Sequence, residues 1–201
     1  MHKVHAGLGW LGIIGAGAWI SLVALMAGGW GPPGSADYDR YELNSQLWVF
    51  AFALMACGFM GLFLRYQIGA ATALGRTAVV SVILGFVLMM AGNVAEFRYF
   101  SHLPYEADNA RMWAWVVFLL GLLSVLAGSL LLGLWARRQK LLPRWAVWTF
   151  LLALPATFVA GAASLYPIPL CLATFAAGIM AVRPRSILHD VPDPATVTGP
   201  A

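Results

Sequence analysis

The chain has 201 residues, of which 61% are hydrophobic and only 10% are charged. Soluble domains carry about 25% charged residues, so this composition excludes an ordinary water-soluble domain and indicates lipid as the solvent. The formal net charge of +4 is better explained by membrane topology than by nucleic-acid binding, and the two isolated cysteines support neither a zinc module nor a disulfide framework.

Six apolar segments predict an all-α integral membrane protein, a bundle of six transmembrane helices. A helix needs about 20 apolar residues to cross the hydrocarbon core of a bilayer. The predicted spans are 7–27, 47–64, 77–95, 112–136, 145–163 and 167–182. The first is interpreted as a retained span, because its apolar run exceeds signal-peptide length without a clear cleavage site. Residues 184–201 form a proline-rich tail that has little to bury and is predicted to be disordered alone.

The distribution of charge between the loops predicts the orientation. Nine of the twelve basic residues fall on one side of the predicted spans: Lys3, Arg65, Arg76, Arg137, Arg138, Lys140, Arg144, Arg183 and Arg185. Six of the eight acidic residues fall on the other side: Asp37, Asp39, Glu42, Glu96, Glu106 and Asp108. By the positive-inside rule both termini are cytoplasmic, which agrees with an even number of spans. We therefore expect a multi-pass protein of a cytoplasmic membrane, with a composition that points to a bacterial inner membrane.

Small residues recur four apart, and tryptophans stand near the predicted span ends. Small pairs let helix backbones approach closely, either inside a compact bundle or against another subunit. They include Gly12/Ala16, Gly17/Ser21, Ser124/Gly128, Ser129/Gly133, Ala156/Ala160 and Ala173/Ala177/Ala181.

The amphipathic rings of tryptophan favour the headgroup level of a bilayer, so the tryptophans near the span ends predict an aromatic belt. The belt would consist of Trp10, Trp30, Trp48, Trp113, Trp135 and Trp145.

The stretch 87–113 holds the densest chemistry of the chain. Asn93 and Glu96 are three residues apart near the end of the third span, so they share one helix face. A carboxylate in hydrocarbon is costly and is by default a functional-site hypothesis. The alternative is a helix-end carboxylate that pairs with Arg98 or Arg111.

The outer loops add further candidate ligands. His102, Glu106 and Asp108 follow Glu96 within the same stretch, and Asn44 and Gln46 begin the second span. Asp37, Asp39 and Glu42 on the other outer loop are candidate metal ligands if the two loops meet. Catalytic zinc usually takes three protein ligands, often two or three of them histidine, and only His102 is available outside. The sequence therefore predicts no metal site and favours solvated loop acids.

The predicted cytoplasmic hairpin RRQKLLPRW carries four cations close together. Arg137, Arg138, Lys140 and Arg144 indicate an electrostatic anchor to anionic lipid or a docking site for a soluble partner.

Known cofactor and catalytic patterns are missing from the sequence. Haem held between helices needs histidines well inside spans, and a retinal Schiff base needs an intramembrane lysine; neither is present. No Walker, GxGxxG or GxSxG motif occurs, so the sequence predicts no cofactor and assigns no catalytic residue.

Three functions remain open. We expect a non-catalytic accessory or partner-binding subunit of a larger membrane complex, which would contact lipid and other membrane subunits. The alternative is a small-molecule binding or transport protein with an outward-facing site around Asn44, Gln46, Asn93 and Glu96. The second alternative is an outward-facing membrane enzyme that uses Glu96 and His102 as acid and base.

Overall fold

The protein is an all-α helical membrane bundle. The computed structural model describes residues 2–25, 35–101, 109–161 and 167–183. Within these ranges 94% of the residues are helical and none is in a strand. The elements are α1 His2–Leu25, α2 Ala36–Tyr66, α3 Ile68–Ala71, α4 Ala73–Val94, a π-helical turn Ala95–Tyr99, α5 Asn109–Gln139, α6 Arg144–Gly161 and α7 Pro167–Val182.

Five helical segments are long and apolar enough to cross a membrane. They are Lys3–Leu25, Ala36–Tyr66, Ala73–Tyr99, Ala110–Gln139 and Arg144–Gly161. The sixth predicted span corresponds to α7, an apolar helix of 16 residues. At 1.5 Å per residue α7 is about 24 Å long, somewhat less than the roughly 30 Å of hydrocarbon that a typical bilayer presents. The predicted tail 184–201 lies outside the described residues.

Local sequence signals begin and end the helices. Ser35 caps α2, since its Oγ accepts the Tyr38 N–H at 3.2 Å, and Asp37 and Asp39 complement the positive end of the helix dipole. Thr72 caps α4 in the same way by accepting the Gly75 N–H at 3.1 Å. Gln67 caps the carboxyl end of α2 and has a φ of 49°, in the left-handed region that is common at this position.

The six long helices form a closed ring. α1 packs on α2, α2 on α4, α4 on α5, α5 on α6, α6 on α7, and α7 returns to α1; α2 also contacts α7 across the ring. Phe59 of α2 lies in the middle of the core, with its ring centroid 5.9 Å from that of Phe86 and 6.2 Å from that of Phe150. These two phenylalanines belong to α4 and α6, so one α2 side chain joins three helices.

Glycines allow the closest helix contacts. On α1, a Cβ added at Gly12 would strike the backbone of Gly58 on α2. In the α4–α5 pair, a Cβ at Gly121 would lie 2.7 Å from the Gly85 carbonyl oxygen. Of the small-residue positions noted in the sequence, Gly12, Gly128 and Gly133 therefore pack inside the bundle, as a compact bundle requires.

The predicted aromatic belt is only partly correct. Trp10, Trp113 and Trp145 are exposed, as a belt requires, and Trp30 lies outside the described residues. Trp48 is only 7% exposed, and Trp135 is also buried. Position near a span end did not distinguish the two cases, because Trp48 lies on the face of α2 that packs on α1, the π-turn and α5.

Candidate functional site

A π-helical turn at the end of α4 turns Glu96 into the protein interior. The turn Ala95–Tyr99 ends where the Phe100 N–H donates to the Ala95 carbonyl at 2.9 Å. Glu96 is only 1% exposed, whereas Arg98 and Tyr99 of the same turn are exposed. Single π-turns inside α-helices frequently occur at functional sites.

Two hydrogen bonds join α2 to the last turn of α4 and to the π-turn that follows it. The Asn93 side chain donates from Nδ2 to the Ser45 carbonyl at 3.0 Å, and Gln46 donates from Nε2 to the Phe97 carbonyl at 3.0 Å. A carbonyl oxygen only accepts, so the Ser45 carbonyl determines which end of the Asn93 amide faces α2. The amide oxygen Oδ1 of Asn93 must therefore point away from that carbonyl.

An ion pair joins α5 to α2 in the same layer. The Arg111 guanidinium is 2% exposed, and its Nη2 lies 3.0 Å from Oε1 of Glu42, which is 21% exposed. Its Nη1 also donates to the Ser101 carbonyl at 3.2 Å. We call the set formed by Glu42, Ser45, Gln46, Asn93, Glu96 and Arg111 the polar layer.

Several buried polar atoms in or next to the polar layer have no hydrogen-bond partner among the described residues. They include three atoms of residues from α2 and α4, Oδ1 of Asn93, Oγ of Ser45 and Nε1 of Trp48. Buried polar groups in proteins are nearly always hydrogen-bonded, and an unsatisfied one costs about 1–3 kcal/mol. The polar layer thus has unused hydrogen-bonding capacity, with two of the three atoms able to accept.

Aromatic side chains pack against the polar layer on its inner side. The Trp48 ring contacts Phe97 and Phe118 at centroid distances of 6.4 Å, and it meets Trp19 edge-on at 6.3 Å. Tyr41 packs edge-on against Phe97 at 5.5 Å. Aromatic packing of this kind reduces water access and lowers the local dielectric, so charges in the layer interact strongly.

The structure brings together part of the predicted site. Asn93 and Gln46 form hydrogen bonds between α2 and the end of α4 with its π-turn, Glu96 is buried on that turn, and Asn44 is half-buried on α2. His102, Glu106 and Asp108 lie outside the described residues, so their part in the site stays a prediction. Arg98 is exposed, and Arg111 forms an ion pair with Glu42.

The candidate metal ligands separate from one another. Asp37 and Asp39 are exposed on the first turn of α2, where Asp37 lies 3.7 Å from Arg40, and Glu42 joins the polar layer instead. Within residues 2–25, 35–101, 109–161 and 167–183, no group of three histidine, cysteine or acidic side chains is arranged to hold a metal ion.

Ser45 and Trp48 were missed by the sequence prediction of the site. A signal for them existed, because Tyr41, Ser45, Trp48 and Phe52 follow the spacing i, i+4, i+7, i+11 that places residues on one helix face. A serine inside an otherwise aromatic stripe marks a polar position in the core. Glu42 was assigned to a loop, although α2 begins at Ala36.

The basic hairpin lies on the surface between α5 and α6. Its side chains Arg137, Arg138, Lys140 and Arg144 are all exposed. Nearby, the Arg183 guanidinium of α7 lies over the Trp145 ring at 5.6 Å. The hairpin therefore has the exposure that a contact with lipid headgroups or with a partner requires.

Arg65 makes a second buried polar contact at the other end of α2, about 35 Å from Glu42 along the helix. It donates from Nη1 to the Ala181 carbonyl at 2.9 Å and lies over the Tyr66 ring at 5.4 Å. A cation at the carboxyl end of α7 satisfies a terminal carbonyl and complements the helix dipole. This contact stabilises the α2–α7 pair.

The fold and the polar layer define an α-helical membrane protein with a buried polar site. No protein-family model, curated protein or solved structure matches the chain.

Proposed function

We propose that the protein binds a small polar solute, for uptake or sensing, in the polar layer around Asn93 and Glu96. The observation that carries the proposal is the burial of Glu96 three residues after Asn93, which is also buried and whose Oδ1 has no hydrogen-bond partner among the described residues. This is the small-molecule function that the sequence left as an alternative.

The cost of the polar layer supports this proposal. A carboxylate placed within a membrane bundle is expensive, and apolar side chains of similar volume often pack with equal or greater stability. Ligand binding explains both the retained carboxylate and the unused acceptors, since a ligand with donor groups would satisfy them.

Replacing Glu96 with glutamine tests the proposal. We expect protein purified gently from its native membrane to retain a small molecule, which mass spectrometry identifies, and Glu96→Gln to lose it. Glutamine keeps the side-chain shape but removes the charge, so the bundle should still elute as a folded species. Arg98→Gln is the matched control, because Arg98 is an exposed charge on the same turn. Equal retention of the molecule by Glu96→Gln would contradict the proposal.

The second candidate is the accessory subunit of a larger membrane complex. It is supported by the outer face of α1, where a Cβ added at Gly7 or Gly17 would meet no atom of the described residues within 4 Å. A transmembrane helix of a partner protein could approach α1 closely there. The same purification separates the candidates: a stoichiometric membrane partner supports the subunit, and a lone protein with a bound solute excludes it.

The enzyme hypothesis depends on His102, which lies outside the described residues. It predicts an activity that disappears in His102→Ala.

The placement of both termini in the cytoplasm of a bacterial cell is likewise our proposal, based on the loop charges. It predicts that a periplasmic reporter fused after Val182 stays inactive.

The basic hairpin is proposed to bind anionic lipid. On that basis, added phosphatidylglycerol should raise the thermal unfolding temperature of the detergent-purified protein. The effect should fall when Arg137, Arg138, Lys140 and Arg144 are all replaced by glutamine, since each cation near an anionic surface contributes about 1 kcal/mol. Arg40→Gln is the control, because Arg40 is an exposed cation near the start of α2 and does not belong to the hairpin. A lipid effect that is unchanged in the fourfold variant would exclude the hairpin as the binding site.

A further inference from the structure

Exposed cations from three helices gather at one end of the bundle with no acidic residue among them. Four are the side chains of the basic hairpin between α5 and α6, and another is Arg183, directly after α7. The described ranges 109–161 and 167–183, which hold these three helices, contain no aspartate or glutamate. The ion pairs found among the described residues involve none of these cations. The surface therefore has a positive potential that attracts an anion.

Arg183 is positioned beside the hairpin by an aromatic contact. Its guanidinium lies over the Trp145 ring, 5.6 Å from the centroid, and Trp145 directly follows Arg144 at the start of α6. The first turn of α6 contains no acidic residue that would compete for these cations. A guanidinium that stacks on a ring keeps its planar N–H donors available for a phosphate. The end of α7 thus supplies a cation that can act together with those of the hairpin.

The tryptophans of α6 indicate that the anion comes from the membrane. Trp145 and Trp148 are three residues apart, so they share a helix face, and they are 41% and 54% exposed. Exposed tryptophans at the end of a membrane span favour the headgroup level of the bilayer. A lipid can place its headgroup on the cations and its acyl chains against these rings, whereas a soluble anion can use only the cations.

We propose that this surface binds a lipid whose headgroup carries two phosphates, one held by the basic hairpin and the other by Arg183. The inference rests on the proposed binding of anionic lipid by the hairpin and names the class of lipid. Basic pockets between membrane helices are known to bind the headgroup of cardiolipin, which has this chemistry. Once the first phosphate is bound, the second binds intramolecularly at a high effective concentration. A two-phosphate lipid is therefore favoured over two separate lipids with one phosphate each.

Thermal unfolding of the detergent-purified full chain tests the preference. Cardiolipin and phosphatidylglycerol are titrated at equal phosphate concentration. We expect cardiolipin to reach half of its maximal stabilisation at a concentration at least about tenfold lower. Equal half-maximal concentrations would overturn the proposal. Pyrophosphate, which has two linked phosphates and no acyl chains, should not stabilise the protein in the range where cardiolipin does; equal stabilisation by pyrophosphate would identify a soluble anion in place of the lipid.

Arg183→Gln is the decisive variant. The Arg183 side chain is exposed and its described contact is the one with Trp145, so the unfolding temperature without lipid should change by no more than about 4 °C. The variant should lose the preference for cardiolipin and keep the response to phosphatidylglycerol. Retention of the full preference by Arg183→Gln would overturn the proposed site.

Arg76→Gln is the matched control, because it removes an exposed cation at the same end of the bundle. Arg76 lies on α4 next to Gly75, where an added Cβ would be 3.1 Å from Nε1 of Trp135 near the end of α5. This variant should keep the preference for cardiolipin. An equal loss in Arg76→Gln and Arg183→Gln would show that the preference reflects total positive charge, and it would overturn the site.

The same titrations separate this inference from the proposal on which it rests. If both lipids stabilise the protein equally and the fourfold hairpin variant loses both effects, the hairpin binds anionic lipid and the two-phosphate site is wrong. If neither lipid stabilises the protein, both proposals are wrong.

Discussion

Gly12→Ala is expected to lower the thermal unfolding temperature of the detergent-purified protein by about 2–12 °C. A Cβ at this position would strike the Cα of Gly58 and lie 2.9 Å from its backbone nitrogen. Both atoms belong to the backbone of α2, so only a separation of the two helices relieves the clash. Overpacking costs about 1–3 kcal/mol, and each kcal/mol shifts the midpoint by about 2–4 °C in a chain of this size.

The same helix supplies the controls for this prediction. Gly7→Ala and Gly17→Ala place a methyl group where nothing among the described residues lies within 4 Å. Alanine is also about 1 kcal/mol better than glycine within a helix, so both variants should match or slightly exceed the wild type. A Gly12→Ala protein as stable as Gly17→Ala would show that α1 and α2 do not approach as closely as described.

The contrast between Gly12 and Gly17 shows which part of the fold the sequence determines. Length and apolarity predict the membrane helices, because a bilayer accepts few other backbone structures. The direction that each helix faces is harder to predict, since lipid and protein interior are equally apolar. For that reason the sequence does not distinguish a glycine that packs against another helix from a glycine on the outer surface of the bundle. Trp48 was assigned to the aromatic belt for the same reason.

The part of the candidate site that could be predicted consists of the polar residues within an apolar span. Glu96 and Asn93 stood out because burying a polar or charged side chain in a membrane span costs free energy, so such residues are often functional. Ser45 could have been found from its place in the buried stripe of α2. The pairing of Glu42 with Arg111 could not, because the two residues are 69 positions apart and no local pattern relates them.

Glu42→Gln is expected to destabilise the protein more than Glu96→Gln, which removes the other carboxylate of the described polar layer. It would leave the Arg111 guanidinium, 2% exposed, without the carboxylate 3.0 Å away. Breaking a buried ion pair by removing one partner costs about 3–5 kcal/mol. Since Glu42 is partly exposed, we expect the lower end, a decrease of about 6–12 °C in the unfolding temperature.

The surface pair between Asp37 and Arg40 is the matched control for Glu42→Gln. It lies one turn earlier on the same helix, its atoms are 3.7 Å apart, and its side chains are 68% and 79% exposed. Exposed pairs of this kind contribute about 0–1 kcal/mol, so Asp37→Asn should shift the midpoint by no more than about 4 °C.

Adding Arg111→Met to Glu42→Gln separates charge burial from packing. Methionine replaces the buried guanidinium with an apolar chain, so the double variant should regain most of the stability that Glu42→Gln loses. Recovery would mean that the pair is not needed to hold α2 to α5, and that its role is to balance charge in the polar layer. Equal instability of the single and double variants would instead assign the loss to the bonds that Arg111 makes, including the one to the Ser101 carbonyl.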